Sequence, residues 1–295
     1  MTREEFRSLT EKTVMLDGAM GTWLYQNGLT RGVSTEAWAL EHPEVVERLQ
    51  SAYVAAGAQI IYSPTFGANR NTLKSHGLDG KIREMNLALV ELARRSAKDQ
   101  ALVAGDMSPT GLLLEDIGGE ATEEEVFEIY REQAQILTEA GVDLIVAETM
   151  ISVLEAGIAL DAIRSVSPDL PVMVSLSVNE NGRCLFGGTA VEGVEEFQES
   201  GADAVGINCS CGPDQLAGVV RDMSAVAKVP LIAKPNAGIP VTDQSGNAIY
   251  EMGPDEFSLH MEKLVGAGAR LVGGCCGTTP DYIRKLKLRL DGKLI

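Results

Sequence analysis

The sequence predicts an α/β fold, specifically a (β/α)8 or TIM barrel that forms one domain over residues 1–295. Short apolar runs alternate with amphipathic segments, at the spacing of repeated strand–helix units. There are eight such runs in a chain of 295 residues, which is the number and length that a barrel requires. No linker rich in proline, glycine or serine divides the chain, so a single domain is favoured over two.

The eight apolar runs are predicted to be the barrel strands. Each one ends in glycine or polar residues, as expected where a buried parallel strand leaves the barrel core. In chain order they cover residues 14–21, 59–66, 101–109, 143–149, 172–178, 204–210, 231–238 and 271–280.

Helical periodicity fills the intervals between these runs. The clearest amphipathic segments cover residues 43–56, 82–98, 123–140, 153–166 and 254–267. A short repeat supports the alternation, because a glycine stands between a helix and the following strand at Gly57, Gly141, Gly201 and Gly268. Glycine at this place predicts a helix that ends in a left-handed residue before the chain turns into the barrel.

An open, doubly wound sheet is the alternative fold. It would be favoured by a GxGxxG fingerprint after the first strand, and the sequence has none there. The barrel therefore remains the first interpretation.

Composition restricts the class of function. The formal net charge is −17, which argues against binding nucleic acid or an anionic membrane through a basic surface. No run approaches the ~18 apolar residues of a membrane-spanning helix, and charges occupy the N-terminal segment where a secretory signal would be apolar. The five cysteines are an odd number, which suggests thiol or metal chemistry in a reducing compartment. We expect a cytoplasmic protein.

The ends of the predicted strands carry the residues that could do chemistry, because a barrel collects its active site at the carboxyl ends of its strands. Three of the five cysteines lie at the ends of the sixth and eighth strands, and three thiols with an open fourth position are typical of a catalytic zinc site. The strand-end residues are Asp17, Thr65, Asp106, Glu148, Ser177, Cys209, Asn236, Cys275 and Cys276.

Each feature also has a structural interpretation. The Cys275–Cys276 pair alone could be two small buried side chains, and Gly273–Gly274 could bind a phosphate group. The carboxylates Asp17 and Glu148 could be structural, and Asn236 could simply form a turn. Adding Cys209 from another strand end favours the metal site. We treat Cys184 and Cys211 as bystanders, and we expect the two glycines to let the end of the eighth strand bend.

Six segments, in order along nearly the whole chain, resemble the homocysteine S-methyltransferase family, and most closely the N-terminal homocysteine-binding module of cobalamin-dependent methionine synthase. The asparagine–cysteine and Gly-Gly-Cys-Cys-Gly segments are the most specific of them. The matching segments cover residues 17–22, 65–69, 148–149, 206–209, 234–238 and 273–278.

The resemblance implies a barrel in which Cys209, Cys275 and Cys276 hold Zn²⁺. The sulfur of L-homocysteine would take the fourth position, which the Asn236 side chain can occupy without substrate. The zinc-bound thiolate of homocysteine would then attack a methyl group to give methionine. The three cysteines that hold the zinc are therefore the implied catalytic residues.

The resemblance also implies how the rest of homocysteine is held. Asp17 and Glu148 match the acids that bind its amino group. Backbone amides around Gly18 and Ala19 would take its carboxylate, and Thr65 and Phe66 would line the pocket.

The sequence does not identify the methyl donor, because it has no cobalamin-binding Asp-x-His-x-x-Gly motif. The resemblance favours methylcobalamin carried by another domain or by a separate corrinoid protein. S-methylmethionine or a betaine is the alternative donor. Two further functions stay open: a phosphate-binding lyase or isomerase barrel, and a non-catalytic zinc or thiol protein.

Overall fold

The computed structural model of the protein describes residues 1–242 and 248–293. Eight parallel strands form one sheet, and two further strands form a small antiparallel hairpin. In chain order the strands are β1 (Val14–Met15), β2 (Ile60–Tyr62), β3 (Leu102–Met107), β4 (Leu144–Met150), β5 (Val172–Leu176), β6 (Ala204–Asn208), β7 (Leu231–Lys234), the hairpin strands β8 (Val241–Thr242) and β9 (Ala248–Ile249), and β10 (Ala269–Val272).

The sheet closes on itself. Its strand order is β1-β10-β7-β6-β5-β4-β3-β2, and each neighbouring pair is parallel. The two ends of this order meet where Leu16 pairs in parallel with Ile60, and the Gln59 N–H donates to the Met15 carbonyl at 2.8 Å. The predicted (β/α)8 barrel is confirmed, and the open doubly wound sheet was the wrong alternative.

Helices surround the barrel and follow the predicted amphipathic segments. Two short 3₁₀ helices, Asp79–Lys81 and Glu115–Ile117, lie in the connecting loops. The α-helices are α1 (Arg3–Leu9), α2 (Gly21–Gln26), α3 (Thr35–Glu41), α4 (Pro43–Ala56), α5 (Arg70–Lys74), α6 (Ile82–Ala97), α7 (Glu123–Glu139), α8 (Val153–Val166), α9 (Ala190–Glu199), α10 (Ala217–Val226), α11 (Pro254–Ala267) and α12 (Pro280–Leu290).

The helix-ending glycines behave as the repeat predicts. Gly57, Gly141, Gly201 and Gly268 all have positive φ angles, between 76° and 128°. A side chain there would strain the backbone, so glycine lets each helix stop and the chain turn towards the next strand. This prediction is confirmed.

The barrel interior is a separate apolar cluster that α1 closes at the N-terminal end through Phe6, which is 1% exposed. Alternate strand residues enter this cluster, as the two-residue period of a strand requires. Its buried members are Phe6, Val14, Leu16, Ile60, Tyr62, Ala104, Leu144, Val146, Met173, Ala204, Ile232 and Leu271.

The structure shortens several predicted strands. The first run ends as a strand at Met15 and begins α2 at Gly21, and the seventh ends at Lys234. Both runs continue beyond the end of their strand as loop residues that are themselves buried. Among the described residues, no helix is long and apolar enough to cross a bilayer.

Candidate active site

Three thiols meet at the carboxyl end of the barrel. Cys209 directly follows β6, while Cys275 and Cys276 lie in the loop after β10, and β7 runs between those two strands. All three sulfur atoms lie within 4.8 Å of one another, and Cys275 Sγ is 4.0 Å from Cys276 Sγ. Tetrahedral zinc with bonds of about 2.3 Å holds its sulfur ligands about 3.8 Å apart. The trio is therefore already near the spacing that such an ion requires.

The backbone at Cys209 has a strained, left-handed conformation. Cys209 and the following Ser210 have φ angles of +60° and +52°, a left-handed conformation that is uncommon for residues other than glycine. The Cys209 N–H donates to the Lys234 carbonyl at 3.1 Å, and the Cys209 carbonyl accepts from the Cys211 N–H at 2.7 Å. These bonds turn the chain sharply off β6, so that the Cys209 sulfur points to the other two.

Gly273 and Gly274 have a different role from the one expected. Neither has a left-handed φ, so conformational freedom is not the reason for glycine here. A Cβ on Gly273 would lie 2.5 Å from the Asp17 carbonyl oxygen, and a Cβ on Gly274 would lie 2.5 Å from the Thr278 side chain. The expectation of a glycine-permitted bend is corrected: these glycines allow close packing of the cysteine loop against the loop after β1.

The loop after β7 supplies the other side of the thiol site. The Pro235 carbonyl accepts from the Cys275 N–H at 2.8 Å, and the Ala237 N–H donates to the Cys276 carbonyl at 2.9 Å. Between them Asn236 is 2% exposed, and its Oδ1 has no hydrogen-bond partner within the described ranges. A buried amide oxygen without a donor is costly. It is therefore a candidate ligand for a cation.

The three thiols hold their protons tightly in this setting. A hydrogen bond with Cys275, together with burial, raises the pKa of Cys209 to about 12. A hydrogen bond with Cys209 and burial raise the pKa of Cys276 to about 11. At Cys275 a bond from Cys209 lowers the pKa, but the bond to Cys276 and burial outweigh it, so the pKa is well above its usual range. Such a trio becomes anionic only when a cation neutralises it.

A buried ion-pair group lies beside the thiols. Lys234, the last residue of β7, places Nζ 2.9 Å from Asp17 Oδ1 and 3.9 Å from Glu148 Oε2. The contact with Asp17 is a buried ion pair. Asp17 Oδ2 also accepts from the Tyr62 N–H at 2.8 Å, and Nζ lies 3.9 Å from the centre of the Tyr62 ring.

A third carboxyl group, Asp106 at the end of β3, belongs to the same group. Burial, followed by the charge of Glu148, raises the pKa of Asp106 well above its usual range. Burial also raises the pKa of Asp17 and of Glu148, and in both cases Lys234 opposes the rise. Asp106 is therefore the carboxyl that most readily stays neutral, although the charge of Lys234 favours the ionised form of all three.

Asn208 joins the carboxylate group to the thiols. Its Nδ2 lies 3.4 Å from Glu148 Oε2 and 4.0 Å from Cys275 Sγ. Its Oδ1 accepts from the Thr149 N–H at 2.8 Å and from the Ser175 hydroxyl at 2.9 Å. The Thr149 φ of +59° is another left-handed backbone that this amide holds in place.

The remaining predicted pocket residues differ in their burial and in their hydrogen-bond partners. Thr65 is fully buried, and its hydroxyl donates to the Asp106 carbonyl at 2.8 Å, whereas Phe66 is 38% exposed. The Ala19 N–H donates to the Thr278 hydroxyl at 3.1 Å, so it would have to exchange this partner to bind a carboxylate. Gly18 packs so tightly that a Cβ would lie 2.6 Å from the Tyr53 hydroxyl.

Cys184 and Cys211 lie outside the thiol trio. They line an open groove of about 640 Å³ together with Ser210, which directly follows Cys209. The Cys211 thiol donates to the Val178 carbonyl at 3.5 Å. Burial raises the pKa of Cys184 to about 11. Burial also raises the pKa of Cys211, and that the two cysteines are bystanders stays a prediction.

Sequence reasoning missed Lys234 and Asn208 as members of this site, although both lie in segments that it singled out. The two-residue period of a strand accounts for both positions once the structure shows which face is interior. Lys234 stands two residues beyond Ile232 and Asn208 four beyond Ala204, both of which face the barrel interior. Counting in steps of two from those interior residues places both side chains on the barrel axis at its mouth.

Comparison with known proteins connects this site to one family. The family model described as homocysteine S-methyltransferase matches residues 14–290. The methionine synthases of Mycobacterium leprae (strain TN) and Mycobacterium tuberculosis (strain ATCC 25618 / H37Rv) are each 32% identical, over 95% and 94% of this chain. The chain spans only 24% of the length of these relatives.

A solved structure is similar over almost its whole length. The metallated form of the homocysteine methyltransferase MmuM from Escherichia coli is 26% identical, with a TM-score of 0.81. The superposition covers 96% of this chain and 99% of that one. The sequence resemblance is thus supported by both sequence and fold.

Proposed function

This chain belongs to the homocysteine S-methyltransferase family, and on that premise we propose that it transfers a methyl group to the sulfur of L-homocysteine to form methionine. The observation that carries the proposal is the convergence of three cysteine sulfurs within 4.8 Å at the mouth of the barrel. We propose further that residues 1–295 act as one homocysteine-binding domain in the cytoplasm.

The donor set fits Zn²⁺. Cys209, Cys275 and Cys276 would hold the ion, since soft thiolate ligands select zinc over magnesium or calcium. The unpartnered Asn236 Oδ1 would be the fourth donor in the absence of substrate. When bound, zinc supplies the positive charge that keeps the substrate sulfur deprotonated and nucleophilic at neutral pH.

The chain's own side chains would hold the amino-acid part of homocysteine. Asp17 and Glu148 offer two carboxylates for its ammonium group, which charge-assisted hydrogen bonds favour. For the substrate carboxylate we propose the amides of Gly18 and Ala19, with the Ala19 N–H leaving the Thr278 hydroxyl. Phe66 and Thr65 would line the pocket on the side of β2.

For the methyl donor we propose methylcobalamin, carried by another domain or by a separate corrinoid protein. The support is that both mycobacterial relatives are methionine synthases about four times longer than this chain, of which it spans 24%. S-methylmethionine or a betaine remains the alternative donor.

The decisive experiment measures zinc and its ligands. The zinc content of the purified protein is determined, and X-ray absorption then follows the ligands as homocysteine is added. We expect three sulfurs plus one oxygen or nitrogen to become four sulfurs. A protein without zinc, or with zinc ligands that homocysteine leaves unchanged, would contradict the proposal and favour a phosphate-binding barrel or a non-catalytic zinc protein, respectively.

Two cysteine variants provide a matched control. Cys209→Ala should lose zinc, because it removes one of the three sulfurs. Cys211→Ala should keep full zinc occupancy, because its thiol donates to the Val178 carbonyl instead. Activity assays of the zinc-loaded protein with methylcobalamin, S-methylmethionine and betaine would then identify the donor.

A further inference from the structure

Lys234 is an unusual residue for the centre of a barrel. It is 3% exposed and lies at the end of β7, with its ammonium group between two carboxylates and over the Tyr62 ring. Burial alone would lower the pKa of Lys234, but Asp17 and Glu148 raise it well above its usual range. The lysine is therefore a permanent cation, held there by the groups around it.

The charged side chains around Lys234 favour the binding of one more cation. Asp17 and Glu148 are the two carboxylates that contact Lys234, and Asp106 is the carboxyl that most readily stays neutral. Two carboxylates therefore share one ammonium group in a buried space. A single ammonium group would complete the balance, and a neutral ligand would not.

We propose that Lys234 is a positioning residue for the amino group of the substrate. It keeps Asp17 and Glu148 ionised and fixed, so that both can accept hydrogen bonds from the α-ammonium of a thiol amino acid. The site would thereby select amino-acid thiols over thiols of the same length that lack the amino group. This inference rests on the proposed function, because it assumes that homocysteine sulfur binds at the cysteine trio.

The backbone contacts of Lys234 separate this role from metal binding. The lysine carbonyl, not its side chain, accepts the Cys209 N–H at 3.1 Å. A substitution that changes only the side chain keeps this bond, which helps to place the Cys209 sulfur. Loss of the ammonium group should therefore alter recognition of the amino group while the thiol trio keeps its zinc.

The test compares two ligands on the zinc-loaded full chain. Homocysteine and 4-mercaptobutyrate, which lacks the amino group, are titrated by calorimetry into the unmodified protein, Lys234→Met and the control Lys263→Met. Lys263 lies exposed on α11. In Lys234→Met the Kd of homocysteine should rise at least about tenfold, as expected when a buried charge pair loses one partner. The Kd of 4-mercaptobutyrate should change by less than about twofold, because that ligand never uses the carboxylates.

Two results would overturn the proposal. One is a Lys234→Met protein that holds zinc and still prefers homocysteine as strongly as the unmodified protein does. The other is a variant in which both thiols weaken equally, which indicates general damage to the pocket. In Lys263→Met both ligands should bind as they do to the unmodified protein.

If Lys234→Met does not fold, the unmodified protein provides the test. Because the Lys234 ammonium group lies between Asp17 and Glu148, the ratio of the two Kd values should stay constant from about pH 6 to about pH 7.5, below the pKa of about 8 of a free α-amino group. The other titratable groups that face these carboxylates are Tyr53, Tyr62, Asp106 and Cys275. A ratio that falls towards one as the pH is lowered across this range would refute the role of Lys234.

The failure of this inference is distinguishable from failure of the proposed function. If the unmodified, zinc-loaded protein binds neither thiol, then the proposed function fails. If it binds homocysteine in preference to 4-mercaptobutyrate, and Lys234→Met keeps that preference, then only the role of Lys234 fails.

Discussion

Replacing Gly274 by alanine tests whether tight packing of the cysteine loop holds the thiol trio together. The new Cβ would lie 2.5 Å from both Cγ2 and Oγ1 of Thr278, a distance that real Cβ atoms do not show. Thr278 Oγ1 accepts from the Ala19 N–H at 3.1 Å and donates to the Cys275 carbonyl at 2.7 Å. Alanine at position 274 would therefore displace the hydroxyl that ties the metal-binding loop to the loop after β1.

The size of the effect follows from two costs. Overpacking a well-packed site costs about 1–3 kcal/mol. Leaving the buried Ala19 N–H without its acceptor costs about 1–3 kcal/mol. Because Thr278 can relax in part, we expect Gly274→Ala to lower the unfolding free energy by about 2–4 kcal/mol. Zinc affinity should fall by about 10–100-fold, as when other contacts that orient metal ligands are lost.

The assay is urea unfolding, together with zinc competition against a chromophoric chelator. Gly266→Ala is the matched control, since Gly266 lies in the last turn of α11 and a Cβ there meets nothing within 4 Å. It should stabilise the protein by up to about 1 kcal/mol. A Gly274→Ala protein with unchanged stability and zinc affinity would refute the packing argument.

A double variant identifies Thr278 as the clashing partner. Thr278→Ala removes the two nearest contacting atoms and leaves only the Thr278 Cβ, 2.7 Å away, so adding Gly274→Ala to it should cost at least about 1 kcal/mol less than in the unmodified protein. Strict additivity of the two substitutions would show that the cost arises elsewhere.

Two further predictions concern the thiols and the amide beside them. Zinc uptake at neutral pH should release about three protons, because the pKa of every thiol in the trio is raised and each must lose its proton to bind the ion. Zinc affinity should therefore fall steeply as the pH is lowered, and release of no protons in an indicator titration would contradict the neutral state of the thiols. Asn208→Ala should lower the unfolding free energy by about 2–3 kcal/mol, because the left-handed Thr149 loses the acceptor of its N–H. An Asn208→Ala protein that unfolds at the same urea concentration as the unmodified protein would show that this amide does not hold Thr149.

Local patterns predicted most of the barrel. The helix α4 begins at Pro43 and ends before Gly57, as the sequence indicates, because proline starts helices and glycine ends them for reasons that lie within a few residues. The hairpin of β8 and β9 was not predicted. Its two-residue strands are exposed on every described residue and carry no alternation of apolar and polar side chains.

The ends of the strands were harder to predict than their existence. The run that begins at Leu231 stays buried through Ala237, yet the strand ends at Lys234. Where a strand ends depends on the hydrogen bonds of its neighbours, and these are contacts between residues far apart in the chain.

The sequence by itself determined the barrel, the order of its units and the set of thiols and acids that its strand ends present. Only the tertiary structure decided how those residues are partnered. A strand pattern repeats every two residues but does not say which of its two faces is inside. Lys234 therefore looked like an ordinary lysine in a motif until closure of the barrel placed it between Asp17 and Glu148. The need for glycine at the two positions before Cys275 likewise became clear only from the fold. The atoms that exclude a Cβ there belong to Asp17 and Thr278, which are far away in the sequence.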